Sequence, residues 1–208
     1  MRNTALLFVG STLLSAICCL GQGTTEFIHI TFDGAPPIPR GFAQLVQGYF
    51  ESGMQFLPIG SVGFVRRGGG FSGYPDNGSA YLQAGLGSDL MFTYMNGHVF
   101  NLTAMDLAGY STVVPDATIH FVGYRRDGST ITTDVDRHGI VFQTYNFGPD
   151  WSGLTRVEIP TYGWSLDNAV ISIPEPSTGA LLVIAAMAFG FCRRAVSVIP
   201  PRKVSDSC

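Results

Sequence analysis

An all-β fold, an antiparallel β-sandwich, is what this 208-residue sequence predicts. Three observations carry it. Short runs alternate apolar and polar side chains with the two-residue period of a half-buried strand. Turn pairs such as Asp33-Gly34, Asn77-Gly78, Asn96-Gly97 and Asp127-Gly128 separate those runs. Between the two chain ends, no long stretch shows the 3.6-residue period of a helix.

Residues 1–23 read as a secretory signal peptide. Arg2 is the positive n-region, residues 5–20 supply the apolar segment, and small residues near Gly21 and Gly23 offer a cleavage site. A lipid-modified Cys18 or Cys19 and an uncleaved membrane anchor are the alternatives at this end.

Residues 24–172 form the predicted sandwich. Residues 27–32 alternate and stop at Asp33-Gly34, and the Pro-rich stretch 35–40 reads as a loop. A strand over 48–57 breaks near Gly53, the glycines at 68–70 open a loop to residue 79, and residues 80–83 are a short strand. Residues 90–95 and 98–102 predict a hairpin over Asn96-Gly97, because that pair accepts the two positive φ angles of a type I′ turn. Residues 105–108 read as one helical turn. A second hairpin pairs 118–124 with 129–133 across residues 125–128. Strands over 140–147, 155–159 and 166–173 complete the set.

After Pro174-Glu175-Pro176 comes an uncharged apolar run over 179–191, then Arg193-Arg194. Such a run predicts a short membrane helix within 173–195, since a span needs about 20 residues. Basic residues stay on the cytoplasmic side of a span. Arg193, Arg194, Arg202 and Lys203 therefore place residues 196–208 inside and the sandwich outside.

Composition narrows the function classes. The four cysteines are Cys18, Cys19, Cys192 and Cys208, all outside the sandwich region, so no disulfide staples it and its core must hold it. Residues 22–175 carry seven arginines, no lysine and fourteen acids, a formal charge of −7. That balance argues against nucleic acid, whose phosphates need clustered cations. The pairs Arg66-Arg67 and Arg125-Arg126 read as solvated turn flanks.

No metalloprotease, nucleophile-elbow or phosphate-loop pattern is present, and His29, His98, His120 and His138 are scattered. The expectation is a protein without catalytic residues. Asp134 and Asp136 share one strand face and carry the alternative, a glycan-acting enzyme. Calcium is the cofactor the acidic loops suggest. Asp33 and Asp167 are its candidate ligands, with Glu26, if the first and last strands lie side by side. Their other reading is as turn caps. Trp151 and Trp164 are candidates for stacking on sugar rings, with Tyr74, Tyr81 and Tyr162 beside them. Packing in the core is the other role for both tryptophans.

The tail, with Pro174, Glu175 and Pro176 before the apolar run and Arg193-Arg194 after it, resembles that of the PEP-CTERM class of bacterial exported proteins. The likeness covers residues 173–194. It implies a sorting signal read by an exosortase-type protease and an exported protein held in the membrane by its C-terminus before processing. Phe32-Asp33, 100–102 with 106–108, Gly123-Tyr124 with Asp127-Gly128, Trp151 with 153–155, and 166–168 follow in order. This series resembles a jelly-roll module common in that class, similar to galactose-binding-like and lectin-like sandwiches. The resemblance implies a surface-associated structural or binding protein in an extracellular polysaccharide or envelope matrix. A carbohydrate-binding module is the alternative.

Overall fold

Alternate side chains along thirteen strands meet in one core. The computed structural model describes residues 25–60, 63–84 and 89–174. The predicted signal peptide, the residues of the tail from Glu175 onward and the 196–208 segment lie outside the described residues. One antiparallel sheet holds β11 (Gln143–Asn146), β8 (Asn101–Gly109), β13 (Trp164–Ile173), β6 (Ala80–Gln83), β5 (Phe64–Gly68) and β2 (Ala43–Val46) in that spatial order. β1 (Glu26–Ile30) pairs with the later half of β13, from Ile30 opposite Ala169 to Glu26 opposite Ile173. The second sheet orders β10 (Thr130–Arg137), β9 (Ala117–Arg125), β12 (Leu154–Ile159), β7 (Asp89–Tyr94), β4 (Met54–Ile59) and β3 (Tyr49–Glu51). Every pairing is antiparallel. The expected all-β architecture of two antiparallel sheets is present.

Both sheets give side chains to the same core. Phe64, Leu82, Leu102, Leu107, Leu166 and Ile171 come from the first; Met54, Phe56, Phe92, Phe121, Val157 and Ile159 come from the second. Rings run through it. Phe32 meets Phe56 edge-on at 5.1 Å, and Phe121, Phe147 and Trp151 form a second group with centroids 4.9–6.3 Å apart. Such tilted and edge-on pairs add about 0.5–1.5 kcal/mol each beyond area burial. This cysteine-free body therefore relies on aromatic packing where small exported domains often use disulfides.

The hairpin across residues 125–128 forms as expected, with Thr130 opposite Tyr124 and Arg137 opposite Ala117. The break at Gly53 is itself a hairpin. Ser52 and Gly53 take φ of 49° and 84°, and Glu51 faces Met54.

Two expectations fail. Asn96 and Gly97 do adopt positive φ, 59° and 67°, but within a 3-10 turn over Met95–Gly97. The strands on either side do not pair with each other. β7 has both edges filled, by β4 and β12, so the chain crosses to the other sheet as β8. Residues 105–108 are extended, not helical: Met105 and Leu107 enter the core and Asp106 points the other way. Both faces of that strand are covered, so its period of two is hidden behind small residues such as Ala104 and Ala108.

Arg66 and Arg67 are a third correction. They lie on β5 and are 2% and 8% exposed, not on a solvated turn. Arg66 donates from Nε to the Phe32 carbonyl (2.8 Å), from Nη1 to that of Pro36 (2.6 Å) and from Nη2 to that of Gly34 (2.7 Å). Glu51 answers from the other side. Its Oε2 accepts the Phe32 N–H at 2.8 Å and the Tyr49 hydroxyl at 2.9 Å. A guanidinium and a carboxylate thus clamp the segment leaving β1, which holds Phe32 at φ 58° with its ring in the core. Irregular backbone must find partners when buried, and these side chains provide them.

Candidate functional site

The outer face of the first sheet, away from the core, carries the densest polar chemistry. Register alone puts Asp106 on β8 opposite Asp167 on β13. Asp167 is fully buried. Its Oδ2 accepts the Asn77 amide at 2.6 Å and the Ser79 hydroxyl at 2.7 Å, and its Oδ1 accepts the Asn168 N–H at 2.7 Å. Asn168 sits at φ 44°, where the β13–β8 ladder shifts register, and its side-chain amide donates to Asp106 Oδ2 at 2.8 Å. Thr144 on β11 donates to the other Asp106 oxygen. The bulge thereby turns an Asn between two carboxylates that face each other across strands.

Burial pushes the Asp167 carboxyl up to about 6, against the pull of its three donors, and the nearby Asp33 charge adds to the rise. The first and last strands are adjacent, as the calcium reading required, and Asp33 stands near enough to act on Asp167. Asp167 nevertheless spends both oxygens on protein, and Asp33 spends Oδ1. Asp33, exposed on its loop, accepts the Ala80 N–H at 2.8 Å. Glu26 lies at the far end of the β1–β13 ladder. Among the described residues no group of three or more His, Cys, Asp or Glu is spaced to hold a metal ion. What the acids do in this structure is fasten the turn at 76–79 to the sheet.

Beside them lies an arginine in an aromatic frame. The alternation that sends Phe64 and Arg66 inward sends Arg67 to the outer face of β5. Its guanidinium lies 3.9 Å from the Tyr74 ring centroid and 4.6 Å from that of Phe71. Its Nε donates to Gln83 Oε1 at 3.0 Å. Gln83 is fully buried and is itself fixed, donating from Nε2 to the Tyr110 carbonyl at 2.6 Å and to the Ser165 hydroxyl at 3.1 Å. Charge hid this residue from sequence reasoning. The available signal was the alternation through residues 64–67, which is interrupted only if Arg is assumed to need water.

The tryptophans take structural places. Trp164 is fully buried, its indole N–H donating to the Thr161 carbonyl at 2.6 Å. That ring presents no face to solvent. Trp151 is 5% exposed and packs on Phe147 and Phe121, with its edge at an open cavity of about 310 Å³ lined by Asn101, Thr103, Pro149 and Ser152. Tyr162 is 76% exposed, whereas Tyr81 is fully buried.

Asp134 and Asp136 share the solvent face of edge strand β10, as their spacing predicts. Each is engaged across the β9 ladder: Asp134 with His120 Nδ1 at 2.5 Å, and Asp136 accepting the Thr118 hydroxyl at 2.7 Å. His138 pairs with Asp116 at 3.0 Å, and His29 and His98 stand exposed. The Asp134–His120 and Asp136–Thr118 pairs occupy successive positions on one face of the β9–β10 ladder. Pro174 leaves β13 exposed, while Glu175, Pro176, Arg193 and Arg194 lie outside the described residues.

Residues 172–194 match the PEP-CTERM protein-sorting motif. The chain carries that motif, which marks an exported protein sorted by an exosortase-type system and held in the membrane by its tail before processing. No curated protein matches the chain.

Proposed function

We propose that the chain is an exported, surface-associated structural or binding protein that works without catalysis. Its β body stands outside the cell, in an extracellular polysaccharide or envelope matrix, after an exosortase-type protease has acted on its tail. The match at residues 172–194 is the observation that carries this reading. A leader at 1–23 supplies export, and the uncharged run before Arg193-Arg194 stalls the chain in the bilayer because guanidinium groups do not cross it. The body itself is of the jelly-roll kind in this proposal, a scaffold that keeps its shape without cysteines. Its polar groups support a non-catalytic role: Asp33, Asp106 and Asp167 serve the 76–79 turn and the β13 bulge, and the acids of β10 hold a strand edge.

The test is topological. Intact cells expressing the full chain with an epitope in the exposed 112–114 loop are treated with an impermeant epitope-directed label. Labelling of the body on intact cells is expected. Labelling only after lysis, with the chain in the cytosolic fraction, overturns the proposal.

A further inference from the structure

Arg66 and Arg67 are neighbours with opposite accounts. All three nitrogens of the Arg66 guanidinium are spent on backbone carbonyls. Arg67 spends only Nε, on Gln83. It is 8% exposed, and among the described residues its terminal nitrogens donate to no acceptor and it forms no ion pair. Asp76, on the adjoining loop, is taken by Arg40 at 2.8 Å. Directly across the β5–β6 ladder from Arg67 stands Tyr81. Tyr81 is fully buried and its hydroxyl has no hydrogen-bond partner. Arg67 thus keeps two terminal nitrogens that could still donate, and on the same face of the adjacent strand Tyr81 holds a buried, unsatisfied hydroxyl, which is costly. One group would satisfy both: an anion with at least two oxygens.

We propose that Arg67 and Tyr81 form a binding site for an oxyanion borne on a saccharide, a carboxylate or sulfate of an acidic glycan. Arg67 offers its forked N–H donors, which match such a group bidentately, and Tyr81 adds its O–H. Gln83 fixes the guanidinium orientation before the ligand arrives, which lowers the entropic cost of binding. Phe71 and Tyr74, on the loop that covers Arg67, supply the half-buried rings against which a sugar rests. The body's formal charge of −7 makes recognition local: it selects an anion at this guanidinium and repels anions elsewhere. This assignment rests on the matrix reading above and names the ligand class of that matrix.

The experiment is titration calorimetry of the full chain, purified in detergent, against a tetraglucuronate, a neutral glucose tetramer, and sodium acetate and sulfate. Tetraglucuronate is expected to bind at least tenfold more tightly than the neutral tetramer and the free ions. Tyr81→Phe is the decisive variant because it is nearly isosteric. It should weaken tetraglucuronate binding several-fold while raising the melting temperature of the unliganded chain, since it deletes an unsatisfied buried hydroxyl. Arg67→Gln should weaken binding more than tenfold, and Arg67→Lys should restore only part of it. Equal affinity for acidic and neutral tetramers, or unchanged binding by Tyr81→Phe, overturns the site. Acetate or sulfate binding as tightly as the tetramer overturns the saccharide assignment. These outcomes are read on the purified chain, so they stand apart from the surface-labelling test, which can fail alone.

Discussion

Three buried charged side chains, Arg66, Arg67 and Asp167, decide how the sheet edges and loops of this molecule are held. Arg66 acts as a backbone clamp, so Arg66→Met leaves the carbonyls of Phe32, Gly34 and Pro36 without donors. A loss on the order of 2–4 kcal/mol is expected in urea unfolding. Asp167 has its carboxyl raised by burial from 3.8 to about 6. Between about pH 4 and 6 the folded chain then keeps a proton that the unfolded chain has released. Stability should therefore fall as pH rises through that window and flatten above it, by at most about 3 kcal/mol. Asp167→Asn should abolish this slope whatever it does to absolute stability; a slope that persists in the variant contradicts the assignment. Of these residues, sequence reasoning singled out Asp167, with Asp33, as a candidate calcium ligand if the first and last strands lay side by side. It could not foresee that Asn77, Ser79 and Asn168 would consume the Asp167 oxygens, because those contacts depend on a bulge whose φ of 44° only the folded ladder requires.

Strands with one solvent face were legible, and strands covered on both faces were not. β9 and β10 alternate openly and their hairpin was read with its turn in place. β8 reads poorly because Ala104 and Ala108, on the face opposite Met105 and Leu107, are small and buried, so its polar half-period is missing. β2 and β5 were not foreseen at all. β5 carries two arginines, whose burial depends on acceptors and rings far away in the chain. Turn chemistry was read correctly at Asn96-Gly97 but not its destination, since pairing depends on which strand edges are already occupied. Loop packing over β8 sets a testable limit. A Cβ at Gly109 would collide with the Pro115 carbonyl oxygen and lie 2.9 Å from that of Gly139. Gly109→Ala should cost about 2 kcal/mol or more by urea midpoint. Gly97→Ala meets no atom within 4 Å and strains only its φ of 67°, so about 1 kcal/mol is expected there.

At the scale of the whole molecule, address and body are separate devices on one chain. Thr25–Pro174 forms a compact unit with its own core, and the sorting motif begins at the last residues of β13. Among the described residues no helix is long and apolar enough to cross a membrane. The address was legible because prolines, an uncharged run and an arginine pair act through position and charge, needing no tertiary context. The ligand chemistry was not, because it comes from partners that only the fold assembles. The most direct measurement is a pulse–chase of the full chain in cells that encode an exosortase, comparing wild type with the variant in which Pro174, Glu175 and Pro176 are all alanine. The wild-type chain should shorten at its C-terminus and leave the inner-membrane fraction, while the variant stays full-length in that fraction. Identical masses and fractions for the two chains would contradict tail-directed sorting.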